Sequence, residues 1–224
     1  MASKQGCVDE MSEASIFPSY TRSEVIADGI VHATGLAFAV TAVVALIILS
    51  LTRLDPASST AVLIYGTGML AVFVCSAAYN LSRSRWRWLL RRLDHAAIFI
   101  KIAATYTPFA AIKLGGGVGI GLLVAVWAIA IIGASAKLIA PAQFVRTAYV
   151  LYLAQGWAAV FTLPPLFAAL PATAFTLLLV GGMLYTMGVV FHLWERLPYN
   201  NAIWHVFVLA ASACHFGAVV SALT

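Results

Sequence analysis

Ser76 and Asn80 form one polar pair spaced i, i+4, and Asn201 and His205 form another. At about 100° per residue this spacing puts both members of a pair on one face of a helix. Asp94 adds a carboxylate, with His95 beside it. Two such pairs and a carboxylate resemble the plan of a metal site between helices. The same residues would also serve as a hydrogen-bonded knot joining helices, for which Ser, Asn and His are common. Both readings stay open on spacing alone.

Other ionisable residues carry paired readings of the same kind. Asp94 and His95 are neighbours and point about 100° apart, so only one of them can face a given centre. Asp94 is the inward choice, or else only a helix cap. Asp28 and His32, again i, i+4, are either a buried pair or interfacial capping and snorkelling groups. His215 lies ten residues past His205, about 15 Å along the helix and on another face, which suits packing better than ligation. Lys101 lies seven residues from Asp94, about 10 Å deeper, and its stem could reach a carboxylate or an interior cavity. His192 and Glu195 read as a solvated helix end.

The elements that position these residues are membrane helices. Of 224 residues, 62% are hydrophobic and only 9% charged, a balance that a water-soluble chain of this size cannot hide. Apolar stretches long enough to cross a bilayer run roughly over 25–50, 60–81, 94–112, 117–138, 147–167, 171–193 and 202–223. The fifth is interrupted by Pro164-Pro165. The expected fold is an all-α seven-transmembrane-helix bundle, as one domain over 25–224 behind a short tail over 1–24. Residues 1–20 show no apolar core with a cleavage site, so no secretory signal peptide is expected. Thr21 and Glu24 fit a capping box opening the first helix.

The net charge of +5 does not point to nucleic acid, because Arg83, Arg85, Arg87, Arg91 and Arg92 crowd into one loop, as in cytoplasmic loops of membrane proteins. With the N-terminus cytoplasmic, ten Lys and Arg fall on its side and only Arg53 and Lys113 on the other. The chain therefore reads N-terminus cytoplasmic, C-terminus extracytoplasmic. Ser76 and Asn80, Asp94, and Asn201 and His205 then all fall at the cytoplasmic ends of their helices, with Asp28, His32 and His192 at similar depth. Trp86, Trp88, Trp194 and Trp204 read as interfacial anchors. Cys7, Cys75 and Cys214 have no CxxC spacing and imply no disulfide framework.

Several stretches carry a resemblance. They are Glu24 to His32, Leu93 to Ile98, Ala104-Thr105-Tyr106-Thr107-Pro108-Phe109, and Pro198 to His205 continuing to Cys214-His215-Phe216. On these the chain resembles the hemolysin III family, bacterial relatives of the progestin and adipoQ receptors, from Glu24 to about Phe216. The resemblance implies a multi-pass protein of the cell's inner (plasma) membrane with zinc near the cytoplasmic face. It implies three histidine ligands, one ending the second helix and two, four apart, on the seventh, with an aspartate reaching zinc through water. Here those ligand positions are Asn80, Asn201 and His205, with Asp94 as the water-holding acid and Ser76 as the nearby hydroxyl. Only His205 keeps an imidazole, and a neutral amide oxygen is a poor zinc ligand. The expectation is a degenerate zinc site, rescued only if His32 or His95 turns inward.

Three functions follow as expectations. One is a membrane protein of lipid homeostasis or sensing, keeping a polar core without catalysis and with membrane lipid as its partner. The second is a zinc-dependent hydrolase of lipid amides or esters, with Asp94 handling the water proton and Ser76 hydrogen-bonding the oxyanion. The third, a haemolytic pore, has only the family name behind it, since no span carries a continuous polar stripe.

Overall fold

The computed structural model describes residues 20–140 and 145–224. The residues before Tyr20, with Lys4 and Cys7, and residues 141–144, with Pro141, lie outside them. Seven helical segments are long and apolar enough to cross a membrane, and no strand occurs among the described residues.

Helix α1 spans Arg22–Arg53. The expected capping box opens it: the Thr21 hydroxyl accepts from the Glu24 amide, and the Glu24 carboxylate accepts from the Thr21 amide at 2.8 Å. Helix α2 is Pro56–Leu81. Asp55 caps it, accepting from the Ala57 and Ser58 amides at 2.9 and 3.2 Å, while Pro56 occupies a first-turn position needing no amide hydrogen. Helix α3 runs Arg87–Pro108 and continues as a π-helical turn, Phe109–Leu114. The turn ends at Gly115 and Gly116, whose φ values of 58° and 51° suit residues without a Cβ. Helix α4 is Gly116–Ile139.

The fifth span is broken, as its prolines foretell. Helix α5, Val145–Gly156, passes through a 3₁₀ turn at Ala158–Thr162 into the short α6, Leu163–Ala169. Pro164 and Pro165 sit in the first turn of α6, where missing amide hydrogens cost nothing. Helices α7, Ala172–Leu193, and α8, Asn200–Leu223, form the sixth and seventh spans.

One boundary differs from the sequence expectation in a way that matters. Helix α3 begins at Arg87, seven residues before Asp94, so Asp94 is not a cap but lies two turns inside. Its arginines are carried on the helix, with Arg87 over the Tyr79 ring and Arg92 over the Trp88 ring at 5.5 and 4.8 Å. Guanidinium groups seated on aromatic faces let a charged first turn stay helical at a membrane boundary.

The packing places α1 between α2 and α8, while α8 packs most extensively on α7 and α3 on α2. Small residues make these approaches close. A methyl group on Gly188 of α7 would meet Phe207 and Trp204 of α8 at 2.9 and 3.0 Å. The ends of α2 and the starts of α1, α3 and α8 thus gather at one arginine-rich end of the bundle.

Candidate functional site

That end holds a buried polar centre built by α1, α2, α3 and α8. Asp28, His32, Asp94 and His205 are all buried. The His205 ring places Nδ1 2.7 Å from Asp28 Oδ1, and the Asn201 amide donates to Asp28 Oδ2 at 3.0 Å. The i, i+4 spacing of Asn201 and His205 thus delivers both side chains to one carboxylate. On α2, the Asn80 amide donates to the Ser76 carbonyl at 3.0 Å and reaches its hydroxyl at 3.4 Å. Asn80 Oδ1 also accepts from Asn201 at 3.3 Å, so the two asparagines touch.

Ser76 is where the two imidazoles meet. His32 Nε2 lies 3.2 Å from Ser76 Oγ, and His205 Nε2 lies 3.4 Å from the same atom. The two rings approach edge to face with centroids 4.2 Å apart. Behind them, His32 Nδ1 lies 2.8 Å from the Asp28 carbonyl oxygen. Asp94 completes the centre, its carboxyl facing the Ser76 hydroxyl and close to His205 and Asp28.

Counting hydrogens shows what the centre lacks. A carbonyl oxygen and a carboxylate only accept, so in neutral rings both Nδ1 atoms carry the hydrogen and both Nε2 atoms present lone pairs. The Ser76 hydroxyl has one hydrogen for these two acceptors. Asp94 competes for the same hydrogen, so at least one Nε2 lone pair is left without a donor. Asp28, His32 and His205 each offer a ligand atom, all within 4.8 Å of one another. Two imidazoles and a carboxylate this close could hold a divalent metal ion, but for Asp28 to be a ligand the ion would have to take the place of the hydrogen between His205 Nδ1 and Asp28.

Sequence reasoning named His205, Ser76, Asp94, Asn80 and Asn201, and all five meet here. It left Asp28 and His32 undecided between burial and an interfacial role, and both prove central. The remaining candidates lie elsewhere. His95 turns toward Lys137, Arg91 and His192, while its carbonyl accepts from the Tyr152 hydroxyl at 2.8 Å. His192 is no solvated end, since Nε2 lies 3.1 Å from the Tyr149 hydroxyl and its ring faces Trp204. His215 packs against α7 as expected.

The centre opens onto a cavity of about 1150 Å³. Asn80, Asp94, Asn201 and His205 line it beside Tyr20, Glu24, Arg87 and Arg91 at the arginine-rich end, and its far wall is apolar, with Leu163, Leu166, Phe175 and Leu178. Burial pushes the Tyr20 phenol up to about 12, so Tyr20 stays a neutral donor at the mouth. The cavity thus has a polar end at the centre and an apolar end away from it.

Comparison with known proteins agrees with this architecture. The family model described as haemolysin-III related matches residues 21–216. Hemolysin-3 of Bacillus cereus is 37% identical over 198 residues, covering 88% of this chain and 90% of its own length. The hemolysin-3 homolog of Bacillus subtilis (strain 168) is 35% identical over 202 residues, covering 90% and 95%. Human monocyte to macrophage differentiation factor is 26% identical over 163 residues, covering 70% of this chain and 67% of its own. With its seven membrane-spanning helices, the chain belongs to the haemolysin III family.

Proposed function

We propose that this protein is a lipid-handling membrane hydrolase in which the family's zinc site has been rebuilt on different side chains. The histidine positions at Asn80 and Asn201 are degenerate, and Asp28 and His32 join His205 in their place. The observation that supports this most is the placing of the three ligand atoms within 4.8 Å of one another. A zinc ion held there supplies Lewis acidity, polarising a carbonyl and acidifying water.

The chain's own residues do the rest. Asp94, facing Ser76 and lining the cavity, takes the proton of the water that attacks the carbonyl carbon of a lipid amide or ester. As the C–N or C–O bond breaks, it returns that proton to the leaving amine or alcohol. The Ser76 hydroxyl hydrogen-bonds the oxyanion that develops. Asn80 and Asn201 hold Ser76 and Asp28 in position, and the apolar wall of the cavity takes the acyl chain. The charge bias puts this centre beneath the inner leaflet, with the N-terminus in the cytoplasm.

The test is metal analysis of the full chain purified in detergent and dialysed against zinc. About one zinc per chain, lost on His32→Ala and on His205→Ala, supports the reading. A wild-type protein that takes up no zinc would overturn it.

One observation favours a second reading. Asn201 bonds Asp28 and Asn80, and Asn80 bonds Ser76, so amides close part of the network without any ion. In that case the centre is a structural knot in a protein of lipid homeostasis or sensing. Haemolysis rests on the names of the Bacillus relatives alone.

A further inference from the structure

Glu24 and Asp28 stand four residues apart on α1 and so share one face of that helix. Asp28 takes the side chains of Asn201 and His205. Glu24 takes the backbone just ahead of them: its Oε1 accepts from the Tyr199 amide at 2.9 Å, across 175 positions of sequence. Its Oε2 serves α1, accepting from the Thr21 amide and the Thr21 hydroxyl, each at 2.8 Å. One carboxylate therefore joins the starts of α1 and α8.

Helix α8 does not fix its own start. Tyr199, the residue before its first turn, makes no side-chain capping bond, and that turn carries no acidic residue. The Tyr199 backbone is left-handed, with φ 61° and ψ 16°, and among the described residues it is the one non-glycine with positive φ. That conformation is costly for a residue with a Cβ and persists only where the surroundings impose it. The ring is weakly held, since Tyr199 is 40% exposed. The neighbouring backbone bonds, Trp194 to Phe191, Leu197 to Trp194 and Asn200 to Leu197, are all local. The contact that reaches another helix is the one to Glu24.

We propose that Glu24 is a positioning residue for the polar centre: it holds Tyr199 left-handed and so sets where α8 begins. A slip of α8 by one residue would move His205 about 1.5 Å along the axis and turn it by about 100°. Together these displacements break the 2.7 Å contact with Asp28. The two carboxylates of α1 act in series, Glu24 placing the helix and Asp28 orienting the imidazole that the helix delivers. A carboxylate suits the first task because it also meets the partial positive charge at the start of α8, which has no acid of its own. The role stands apart from the hydrolase reading, since it concerns the placing of His205 whether or not a metal is bound.

The experiment follows the Nδ1 hydrogen of His205 by NMR in the full chain, labelled with ¹⁵N-histidine and held in detergent, with His205→Ala identifying the signal. Amide hydrogen exchange at Ile203, whose N–H donates to the Tyr199 carbonyl at 2.9 Å, gives a second readout. Glu24→Ala should lose the His205 signal and speed exchange at Ile203 about tenfold or more. Thr21→Ala weakens the cap of α1 but leaves the Glu24–Tyr199 bond. It should keep the signal and leave exchange at Ile203 within about twofold of the wild type. Adding Tyr199→Gly to Glu24→Ala removes the cost of the left-handed turn and should restore the signal. Unchanged readouts in Glu24→Ala would overturn the proposal. So would loss of the signal in Thr21→Ala, which would reduce Glu24 to a cap of α1. Where Glu24→Ala alone does not fold, the double variant decides: a folded protein with the His205 signal supports the role, and failure to recover it overturns the role. A wild type that takes up no zinc yet follows this pattern would sink only the hydrolase reading.

Discussion

His205 on the last helix and Asp28 on the first stand 2.7 Å apart, Nδ1 to Oδ1, across 177 positions of sequence. This contact both orients the His205 ring and ties α8 to α1 at the arginine-rich end. The carboxylate accepts from Asn201 as well, so one buried acid organises two side chains of α8.

Asp28→Asn keeps the size of this group and removes its charge. An amide can still accept at its oxygen, but its nitrogen would face the Asn201 amide, donor against donor. Removing a partner from a buried charge-assisted hydrogen bond costs about 1–3 kcal/mol. Thermal unfolding in detergent should show a loss of that order. A double-mutant cycle with Asn201→Ala should show coupling, since the two side chains share one bond. Additive effects would mean that the Asn201–Asp28 bond contributes nothing.

His32 and His95 separate the two candidate rescuers of the metal. His32 Nε2 meets Ser76 beside His205, whereas His95 turns toward Lys137 and His192. His32→Ala should abolish zinc uptake and His95→Ala should leave it near the wild-type level. Equal losses in the two variants would remove the distinction on which the triad rests.

Much of this fold was legible because hydrocarbon demands a simple code. Long apolar runs gave seven spans, Pro164-Pro165 marked the broken one, and Thr21 with Glu24 marked a helix start. The meeting of Ser76, Asn80, Asp94, Asn201 and His205 followed from spacing and from the charge bias. Asp28 and His32 were not resolved, because their role depends on α1 packing between α2 and α8, which no local pattern encodes. The start of α3 was read too late for a different reason. Arginine and tryptophan look like loop composition until Tyr79 and Trp88 provide faces for the guanidinium groups.

Asn80→His combined with Asn201→His tests how far the family's geometry persists. Asn80 and Asn201 are already 3.3 Å apart through their side chains, and Asn201 shares its helix face with His205. Two added imidazoles beside His205 should tighten zinc binding by at least about tenfold, read by competition with a chromophoric chelator. No gain would show that α2 and α8 do not bring these positions to one centre.

Asp55 lies outside the spans and gives a pH dependence with a defined sign. The Ser58 hydroxyl and amide, with help from the Ala57 amide, hold its carboxyl below the ordinary value of 3.8. A carboxylate whose folded-state value is lowered stabilises the fold fully above the unfolded value. That contribution fades as pH falls through the lowered folded-state value. The unfolding midpoints of wild type and Asp55→Ala should therefore differ by a constant amount at neutral pH and draw together below about pH 4. A gap that persists unchanged into acid would mean that the charge of the cap is irrelevant.

Topology is the prediction on which the placing of the centre beneath the inner leaflet depends. Counted along the sequence, ten Lys and Arg fall on the side that carries Asp28, Asn80, Asp94 and His205, against Arg53 and Lys113 on the other. Cationic flanks are retained in the cytoplasm because translocating them is unfavourable. An odd number of spans then carries the chain from an inner N-terminus to an outer C-terminus. An alkaline phosphatase fusion after Thr224 should be active, and a green fluorescent protein fusion at the same point should be dark. The reverse pattern would put the arginines outside. It would also turn the cavity mouth at Arg87 and Arg91 toward the outer leaflet, so that lipid supplied from the opposite side would have to reach Asp94.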